Sequence, residues 1–323
     1  MRKATLSVAV LGAMFVPLLD AAPVQAQATR TWVSGVGDDV NPCSRTAPCK
    51  TYAGAISKTA TNGEINCLDP GGFGALTITK SISVVCDYTE GGVLAAGSNG
   101  FIINIGVAGS IVTLKGQDVE CVGTGLNGIR VLGVGTVVHI HKVQIRNCRG
   151  SATGSGIDIR PTGGTTEVYI ADSYITDNGT TSTTGGILIR PTGSASTNVS
   201  INNVQLENNS SGIRLDGAGS TGPSNLSVRN SVVAGSTNNG ITVTTTLGAL
   251  AALVNNTAVL FNAGTGVNVN GAAATGRIGS STITGNVTGV SATASGNLRT
   301  FSTNQIRGNL ADGTPIANVD GLN

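Results

Sequence analysis

The sequence predicts an all-β protein built as a solenoid of stacked coils. A short unit of Gly, a branched apolar residue, any residue and a second apolar residue recurs at intervals of 23 to 30 residues. Period-two alternation of apolar and polar residues fills the stretches between its copies. Gly accounts for 47 of 323 residues and charged residues for 11%, where about 25% charge is usual. Repeats of this length, with short strands and no helical periodicity, are typical of a β-solenoid.

The glycine-led unit predicts one strand of each coil. A propeller blade needs about 40 residues and a leucine-rich repeat needs a fixed Leu ladder, and neither pattern is present. In a stack of coils each strand pairs with its equivalent about 4.8 Å above and below. The copies begin at Gly128, Gly156, Gly186, Gly212, Gly240, Gly266 and Gly289.

The alternating unit predicts two further strands that meet at a sharp corner. Its best copy runs from Val199 to Asn209 and contains a polar pair in the middle. Asn tolerates the left-handed backbone region that such a corner needs, and stacked Asn amides can bond to one another. The polar pairs are Asn202-Asn203, Arg229-Asn230 and Asn255-Asn256.

The N-terminus predicts export. Arg2-Lys3, an apolar run from Ala4 to Leu19 and small residues up to Ala28 are typical of a secretory signal peptide. We therefore expect a secreted or periplasmic protein. Apart from this segment, the chain contains no apolar run long enough to span a membrane. A net charge of +2 and 3% aromatic residues also argue against nucleic acid as a partner.

From Leu76 to Ile306 the Gly-Ile-x-Leu and Val-x-Ile-x-Asn strands resemble the repeat of the pectin lyase-like superfamily. The resemblance implies a single-stranded right-handed parallel β-helix with a short N-terminal capping helix. The leading segment from Trp32 to Pro42 is similar to that of secreted members, and Tyr52, Ala55 and Ile56 fit one amphipathic helical turn. The expected organisation is a signal peptide at 1–28 and one β-helix domain at 29–323, with the first strand and capping helix at 29–63 and the coils at 64–323.

All six cysteines fall in the first half of the chain, and in an exported protein they predict disulfides. Six thiols allow 15 pairings. Residues at equivalent positions of neighbouring coils lie within disulfide reach, and a pair can also close a single loop. The expected pairs are Cys43–Cys49, Cys67–Cys86 and Cys121–Cys148.

The outer face of the glycine-led strands holds a local concentration of charge. In the superfamily that the chain resembles, polysaccharide usually binds in the cleft beside these strands. Guanidinium groups bind carboxylates through paired hydrogen bonds, so the pattern predicts a subsite for acidic sugars, with Asp158 or Asp216 as acid or base. The alternative is a solvated ladder of Arg–Asp salt bridges. The candidate substrate-binding residues are Arg130, Asp158, Arg160, Arg190, Arg214 and Asp216.

No catalytic set of the superfamily is recognisable in the sequence. Polygalacturonase-like members contain an Asp-Asp and a Gly-His-Gly motif, whereas here adjacent aspartates occur at Asp38-Asp39, in the leading segment. His139 and His141 lie on one strand face without a clear third ligand, so we expect neither a metal nor a cofactor. Tyr169 and Tyr174 point outward on another face. Either they stack on a sugar ring or they are ordinary exposed side chains of a solvated sheet.

The function expected from these features is binding of extracellular or cell-envelope polysaccharide. One alternative is a polysaccharide lyase or glycoside hydrolase with a diverged site between Arg130 and Asp216. A further alternative is a structural or adhesive repeat protein, which the polar, nearly neutral later coils favour. All three depend on the resemblance in fold, and a fold alone does not specify a function.

Overall fold

The chain winds into an all-β parallel solenoid of about nine turns. A computed structural model describes residues 27–150, 152–313, 316 and 318–321. Residues 1–26, which include most of the predicted signal peptide, lie outside the described residues. The strands pair in parallel with their equivalents in the next coil.

Within the described residues, the glycine-led strands form a ten-stranded sheet. Its side chains alternate between the lumen and the outer face, as the repeat predicts. Ile129, Ile157, Ile187 and Ile213 point inward and are at most 1% exposed. The strands are Leu76–Ile78, Phe101–Ile103, Asn127–Val131, Ser155–Ile159, Gly185–Ile189, Ile213–Asp216, Ile241–Thr244, Thr265–Asn270, Thr288–Thr293 and Ala311–Gly313.

The alternating units form a second, twenty-stranded sheet that bends at the predicted corners. Two of its strands continue through the corner without a break. Its strands are Ala28–Val33, Thr59–Cys67, Gly71–Gly72, Ile82–Val85, Gly91–Leu94, Ile111–Lys115, Gln117–Glu120, Val137–His141, Gln144–Arg146, Thr165–Thr176, Ser196–Glu207, Ser224–Arg229, Val232–Ala234, Leu250–Asn255, Ala258–Leu260, Ala274–Gly279, Thr282–Thr284, Asn297–Thr300, Gln305–Ile306 and Asn318–Val319.

In three successive coils an asparagine forms the corner between the two halves of this sheet. Asn203, Asn230 and Asn256 have φ angles of 55°, 51° and 47°, in the left-handed region that Asn tolerates. Nδ2 of Asn256 donates to Oδ1 of Asn230 at 2.7 Å, and Nδ2 of Asn230 donates to Oδ1 of Asn202 at 2.8 Å. The amides therefore satisfy one another along the column, as the sequence predicts.

A second polar column is buried beneath the next corner. Each member lies at the equivalent position of its coil, as the strand registers require. Oδ1 of Asn209 accepts hydrogen bonds from both N and Nδ2 of Asn178, at 3.0 and 3.1 Å. The members are Cys148, Asn178, Asn209, Ser236, Asn262, Asn286 and, half-buried at the end, Asn309. Cys121, which is bonded to Cys148, lies one residue before the equivalent position of its coil.

The structure contains the three disulfides Cys43–Cys49, Cys67–Cys86 and Cys121–Cys148. The second joins the residues that come directly after the paired residues Asn66 and Val85 of adjacent coils. The third extends the buried asparagine column. The cysteines therefore replace hydrogen-bonded stacking with covalent bonds in the early coils.

One α-helix, Tyr52–Lys58, precedes the strand Thr59–Cys67. The hydroxyl of Thr51 accepts a hydrogen bond from the backbone N–H of Gly54 and so caps the helix. Tyr52 is fully buried, and its ring centroid lies 5.2 Å from that of Phe73 and 5.9 Å from that of Phe101. The helix thus packs against aromatic side chains of the first coils.

Candidate functional site

The six predicted site residues lie along one outer surface, on or directly after strands of the ten-stranded sheet. Arg130 pairs in register with Asp158, and Asp158 with Leu188. Arg160 and Arg190 each follow the last residue of a strand. The structure brings four of the six residues together and leaves the other two as a separate pair.

Asp158 is the centre of this group. Its side chain is 1% exposed, although alternation places it on the outer face. Oδ2 of Asp158 lies 3.6 Å from Nε of Arg130 and 3.4 Å from Nη2 of Arg160, and Oδ1 lies 3.1 Å from Nε of Arg190. Three guanidinium groups from three successive coils therefore converge on one carboxylate. We call Arg130, Asp158, Arg160 and Arg190 the arginine cluster.

A repeated sequence positions two of these arginines. Ile-Arg-Pro-Thr-Gly begins at Ile159 and again at Ile189. The N–H of Arg190 donates to the carbonyl of Ile159 at 2.8 Å, and the equivalent bond from Arg160 to Val131 has the same length. Since proline follows each arginine and fixes its own φ near −65°, the chain leaves both strands in the same direction. The two guanidinium groups consequently occupy neighbouring levels of the stack.

The charges of the arginine cluster do not balance. Three arginines and one aspartate give a net charge of +2. Burial raises the pKa of Asp158 above its ordinary value, and the positive charges of Arg190 and Arg130 oppose that rise. Within the described residues, Nε of Arg130, Nε of Arg160 and Nη2 of Arg190 are buried without a hydrogen-bond partner. Among the residues that the structure describes, Oδ2 of Asp158 also lacks a hydrogen-bond partner, so its contacts with Arg130 and Arg160 are ionic, and the carboxylate does not saturate the arginine donors.

Arg214 and Asp216 form a separate ion pair. Oδ2 of Asp216 accepts from Nε and Nη2 of Arg214 at 3.1 and 2.9 Å, and its Oδ1 accepts from the N–H of Ala218 at 3.1 Å. Leu188, 1% exposed, occupies the register position between Asp158 and Arg214. An apolar side chain therefore separates Asp158 from this neutral pair along the column of equivalent positions.

The two histidines have separate local partners. The ring of His139 stacks on that of Tyr169, with centroids 5.2 Å apart and an interplanar angle of 14°. Nε2 of His141 lies 2.6 Å from Oδ2 of Asp172, and Oδ1 of the same carboxylate accepts a hydrogen bond from Nδ2 of Asn203. Across the part of the chain that the structure describes, no three His, Cys, Asp or Glu side chains are grouped so that they could hold a metal ion.

The sequence indicated Tyr169 as a possible stacking residue for a sugar but not the groove that surrounds it. A shallow groove crosses the outer face of the twenty-stranded sheet, between Tyr169 and Arg277. Ser200 and Ser227 occupy the register positions between them. The sequence feature that could have revealed the groove is the presence of small residues at equivalent outward positions of successive repeats, beside larger residues.

Among the described residues, no helix has the length and apolar character needed to cross a membrane.

A solved structure supports the fold. The chain is similar to pectate lyase Pel9A, with a TM-score of 0.59 and 15% sequence identity over 91% of this chain and 78% of that one. This likeness confirms the resemblance to the pectin lyase-like superfamily at the level of fold. A search of curated proteins found no match.

A family model gives the second finding. The model described as periplasmic copper-binding protein (NosD) matches residues 116–315. These residues comprise well over half of the chain and contain the whole arginine cluster. A periplasmic family, together with the three disulfides, agrees with the expected secreted or periplasmic location. This chain therefore belongs to the NosD family of periplasmic β-helix proteins.

Proposed function

We propose that this protein binds an acidic polysaccharide outside the cytoplasm, through the arginine cluster. The observation that carries the proposal is the convergence of three guanidinium groups on the single buried carboxylate of Asp158. Guanidinium groups pair with carboxylates through two parallel hydrogen bonds. A uronate residue carries such a carboxylate and is the class of sugar that the cluster fits.

Asp158 acts as an anchor in this proposal. By holding three long side chains at fixed positions, it reduces the conformational entropy that they would lose on binding. The side chains of Arg130, Arg160 and Arg190 remain 24–30% exposed. The cluster spans two coil steps, or about 10 Å. One stretch of a polymer lying across the coils could therefore reach all three arginines.

The excess positive charge distinguishes this proposal from a purely structural ladder. A ladder that serves stability alone needs only balanced pairs, such as Arg214 with Asp216. The arginine cluster instead keeps two positive charges without a counter-charge. Because such like charges repel one another, their accumulation supports a role in binding anions.

Catalysis has less support than binding. A general acid or base must reach the proton that it transfers. Asp158 is covered by guanidinium groups, and both carboxylate oxygens of Asp216 already accept hydrogen bonds. We therefore propose a binding protein, in preference to a diverged lyase or glycoside hydrolase.

The family description includes copper binding, and the donors of this chain do not fit a resident copper ion. Copper sites in proteins use clustered imidazole and sulfur ligands. All six cysteines form disulfides. His139 stacks on Tyr169, and His141 is bonded to Asp172.

We also propose three finer features of the architecture: the handedness of the coils, the role of the helix and the extent of the signal peptide. The coils form a right-handed β-helix, and the helix Tyr52–Lys58 closes the N-terminal end of the lumen, after a signal peptide at 1–28. In support of the cap, the hydroxyl of Tyr52 donates to Oε1 of Gln117 at 2.7 Å, and its ring packs on Phe73. An uncovered coil end would expose both apolar residues and a strand edge.

Retention on immobilised polygalacturonate and alginate, with dextran as a neutral reference, tests the binding function. We expect the double variant Arg160→Ala/Arg190→Ala to lose retention on both acidic polymers. Arg307→Ala is the matched control, because Arg307 is paired with Asp312 and its side chain is 90% exposed. New reducing ends in the eluate would select the enzyme instead. Equal retention of the wild type and the double variant would show that the arginine cluster is a structural salt-bridge ladder. No retention of either protein would favour the structural or adhesive repeat protein.

A further inference from the structure

The shallow groove on the twenty-stranded sheet is built from one column of side chains. Tyr169, Ser200, Ser227, Leu253 and Arg277 occupy equivalent positions in five successive coils. Four steps of about 4.8 Å make this column about 19 Å long. The groove has a volume of about 390 Å³, within the usual range for small-ligand sites.

An aromatic platform stands at one end of the groove. Tyr169 is 42% exposed, and one face of its ring is covered by the stacked ring of His139. Its hydroxyl donates to Oε2 of Glu167 at 2.9 Å, which fixes the orientation of the ring. A rigid, exposed aromatic ring offers an apolar face with a polar edge. The C–H face of a sugar ring has the complementary properties.

Small polar side chains form the floor beyond the platform. Ser200 and Ser227 are half-buried, and within the described residues no side chain or backbone group bonds to either hydroxyl. In the adjacent column Nδ2 of Asn225 donates to Oδ1 of Asn198 at 2.9 Å. Serine hydroxyls can both donate and accept, so the floor can bond the hydroxyl groups of a ligand.

In the part of the chain that the structure describes, Arg277 is the one charged residue that lines the groove, and it is already paired. Glu167 accepts the hydrogen bond from Tyr169, and Nε of Arg277 donates to Oδ2 of Asp320 at 2.9 Å. The lining thus differs from the arginine cluster, where positive charge is in excess. An uncharged, hydroxyl-rich ligand fits this surface better than a uronate.

We propose that this groove is a second saccharide site and that it binds a neutral glycan chain lying across the coils, with one sugar ring stacked on Tyr169. It lies on a different sheet from the arginine cluster. Because positive charge is in excess at the arginine cluster and not at the groove, we expect the two sites to bind different classes of polymer. The groove proposal stands independently of acidic-polymer binding.

Calorimetric titration with cellohexaose, xylohexaose and maltohexaose tests the site. We expect at least one of these neutral probes to bind. Tyr169→Ala should weaken that binding about tenfold, because stacking is lost, while Tyr169→Phe should retain most of it. Tyr174→Ala is the matched control: Tyr174 also points outward and donates to a glutamate, Glu207, but lies outside the groove.

Three outcomes would overturn the proposal. The first is that no neutral probe binds the wild-type protein. The second is that Tyr169→Ala and Tyr174→Ala bind the probe as tightly as the wild type. The third is a concentration-dependent dimer that Tyr169→Ala abolishes while sugar has no effect, since the groove would then be an interface between two copies. The variant Arg160→Ala/Arg190→Ala must leave the neutral binding unchanged.

Discussion

Oδ1 of Asp158 accepts a hydrogen bond of 3.1 Å from Nε of Arg190, one coil away. The carboxylate lies on the outer face of its strand, yet its side chain is 1% exposed because arginines cover it. The pair therefore combines a surface position with the electrostatics of a buried site. In such a site, removal of one charge leaves its partners uncompensated.

Replacement of Asp158 by alanine should consequently destabilise the fold. We expect Asp158→Ala to lower the free energy of unfolding by about 3 kcal/mol, the low end for a broken buried pair, since the arginines are partly exposed. Asp216→Ala removes a more exposed carboxylate, with 22% side-chain exposure, and should cost less than about 1 kcal/mol. Urea unfolding of both variants measures the difference. Equal losses would contradict the special position of Asp158.

A second ion pair predicts how stability depends on pH. The hydrogen bond from Lys115 lowers the pKa of Asp87 below its ordinary value of 3.8, and Lys142 assists. The folded state thus favours the ionised carboxylate. Its contribution is present above pH 3.8 and is lost as the pH falls through the lowered pKa.

The melting temperature, followed from neutral to acidic pH, should therefore depend less on pH in Lys115→Gln than in the wild type. Nζ of Lys115 lies 2.7 Å from Asp87, whereas Nζ of Lys142 lies 3.3 Å away and its side chain is 53% exposed. Lys142→Gln is the control and should change the profile less. A larger effect of Lys142→Gln would show that Lys142, and not Lys115, is the main partner of Asp87.

The disulfides should differ in their contributions to stability. Cys121–Cys148 closes a loop with a separation of 27 residues, and Cys43–Cys49 one of 6. Chain-entropy estimates give about 3.5 kcal/mol for the first and about 2 kcal/mol for the second. Replacing each pair by serine and comparing the urea midpoints checks this order. The opposite order would show that local contacts outweigh loop length.

The architecture could be predicted from the sequence because its causes are local. The spacing between Gly128 and Gly156 fixes which strands pair, and alternation decides which side chains face the lumen. The same reasoning predicts that Arg130 and Asp158 lie side by side. It also predicts the asparagine corners, since few other residues tolerate a positive φ.

The burial of Asp158 could not be predicted in this way. Alternation states that its side chain leaves the lumen, but not that three long side chains from adjacent coils fold over it. The groove beside Tyr169 also depends on neighbours in several coils. Ser200 and Ser227 form its floor only because larger side chains stand at both ends. The shape of such a surface depends on the sizes of the side chains at equivalent positions of successive coils.

Copper binding can be tested directly on this chain. Two histidines on one strand without a clustered third ligand should give only weak, surface-type binding. We expect a competitive titration against a chromophoric chelator to show no tightly bound stoichiometric copper, and the double variant His139→Ala/His141→Ala to behave like the wild type. A 1:1 copper complex that survives gel filtration, and that the double variant loses, would show that a copper site exists.

Ser236 interrupts the buried asparagine column, so we expect a substitution at this position to raise the free energy of unfolding. It occupies the level between Asn209 and Asn262, is 1% exposed, and its Oγ has no hydrogen-bond partner in the described part of the chain. Elsewhere in the column an asparagine Oδ1 accepts two hydrogen bonds from the level before it, as Asn286 does from Asn262.

The variant Ser236→Asn should restore this pattern by placing an amide between Asn209 and Asn262. Because a buried hydrogen bond contributes about 1 kcal/mol and an unsatisfied polar atom is removed, we expect stabilisation of about 1 kcal/mol in urea unfolding. Ser236→Ala is the control: it removes the unpaired hydroxyl without adding an amide and should give a smaller gain. If Ser236→Asn destabilises the protein while Ser236→Ala does not, the level is too narrow for an amide, and the serine is required by packing.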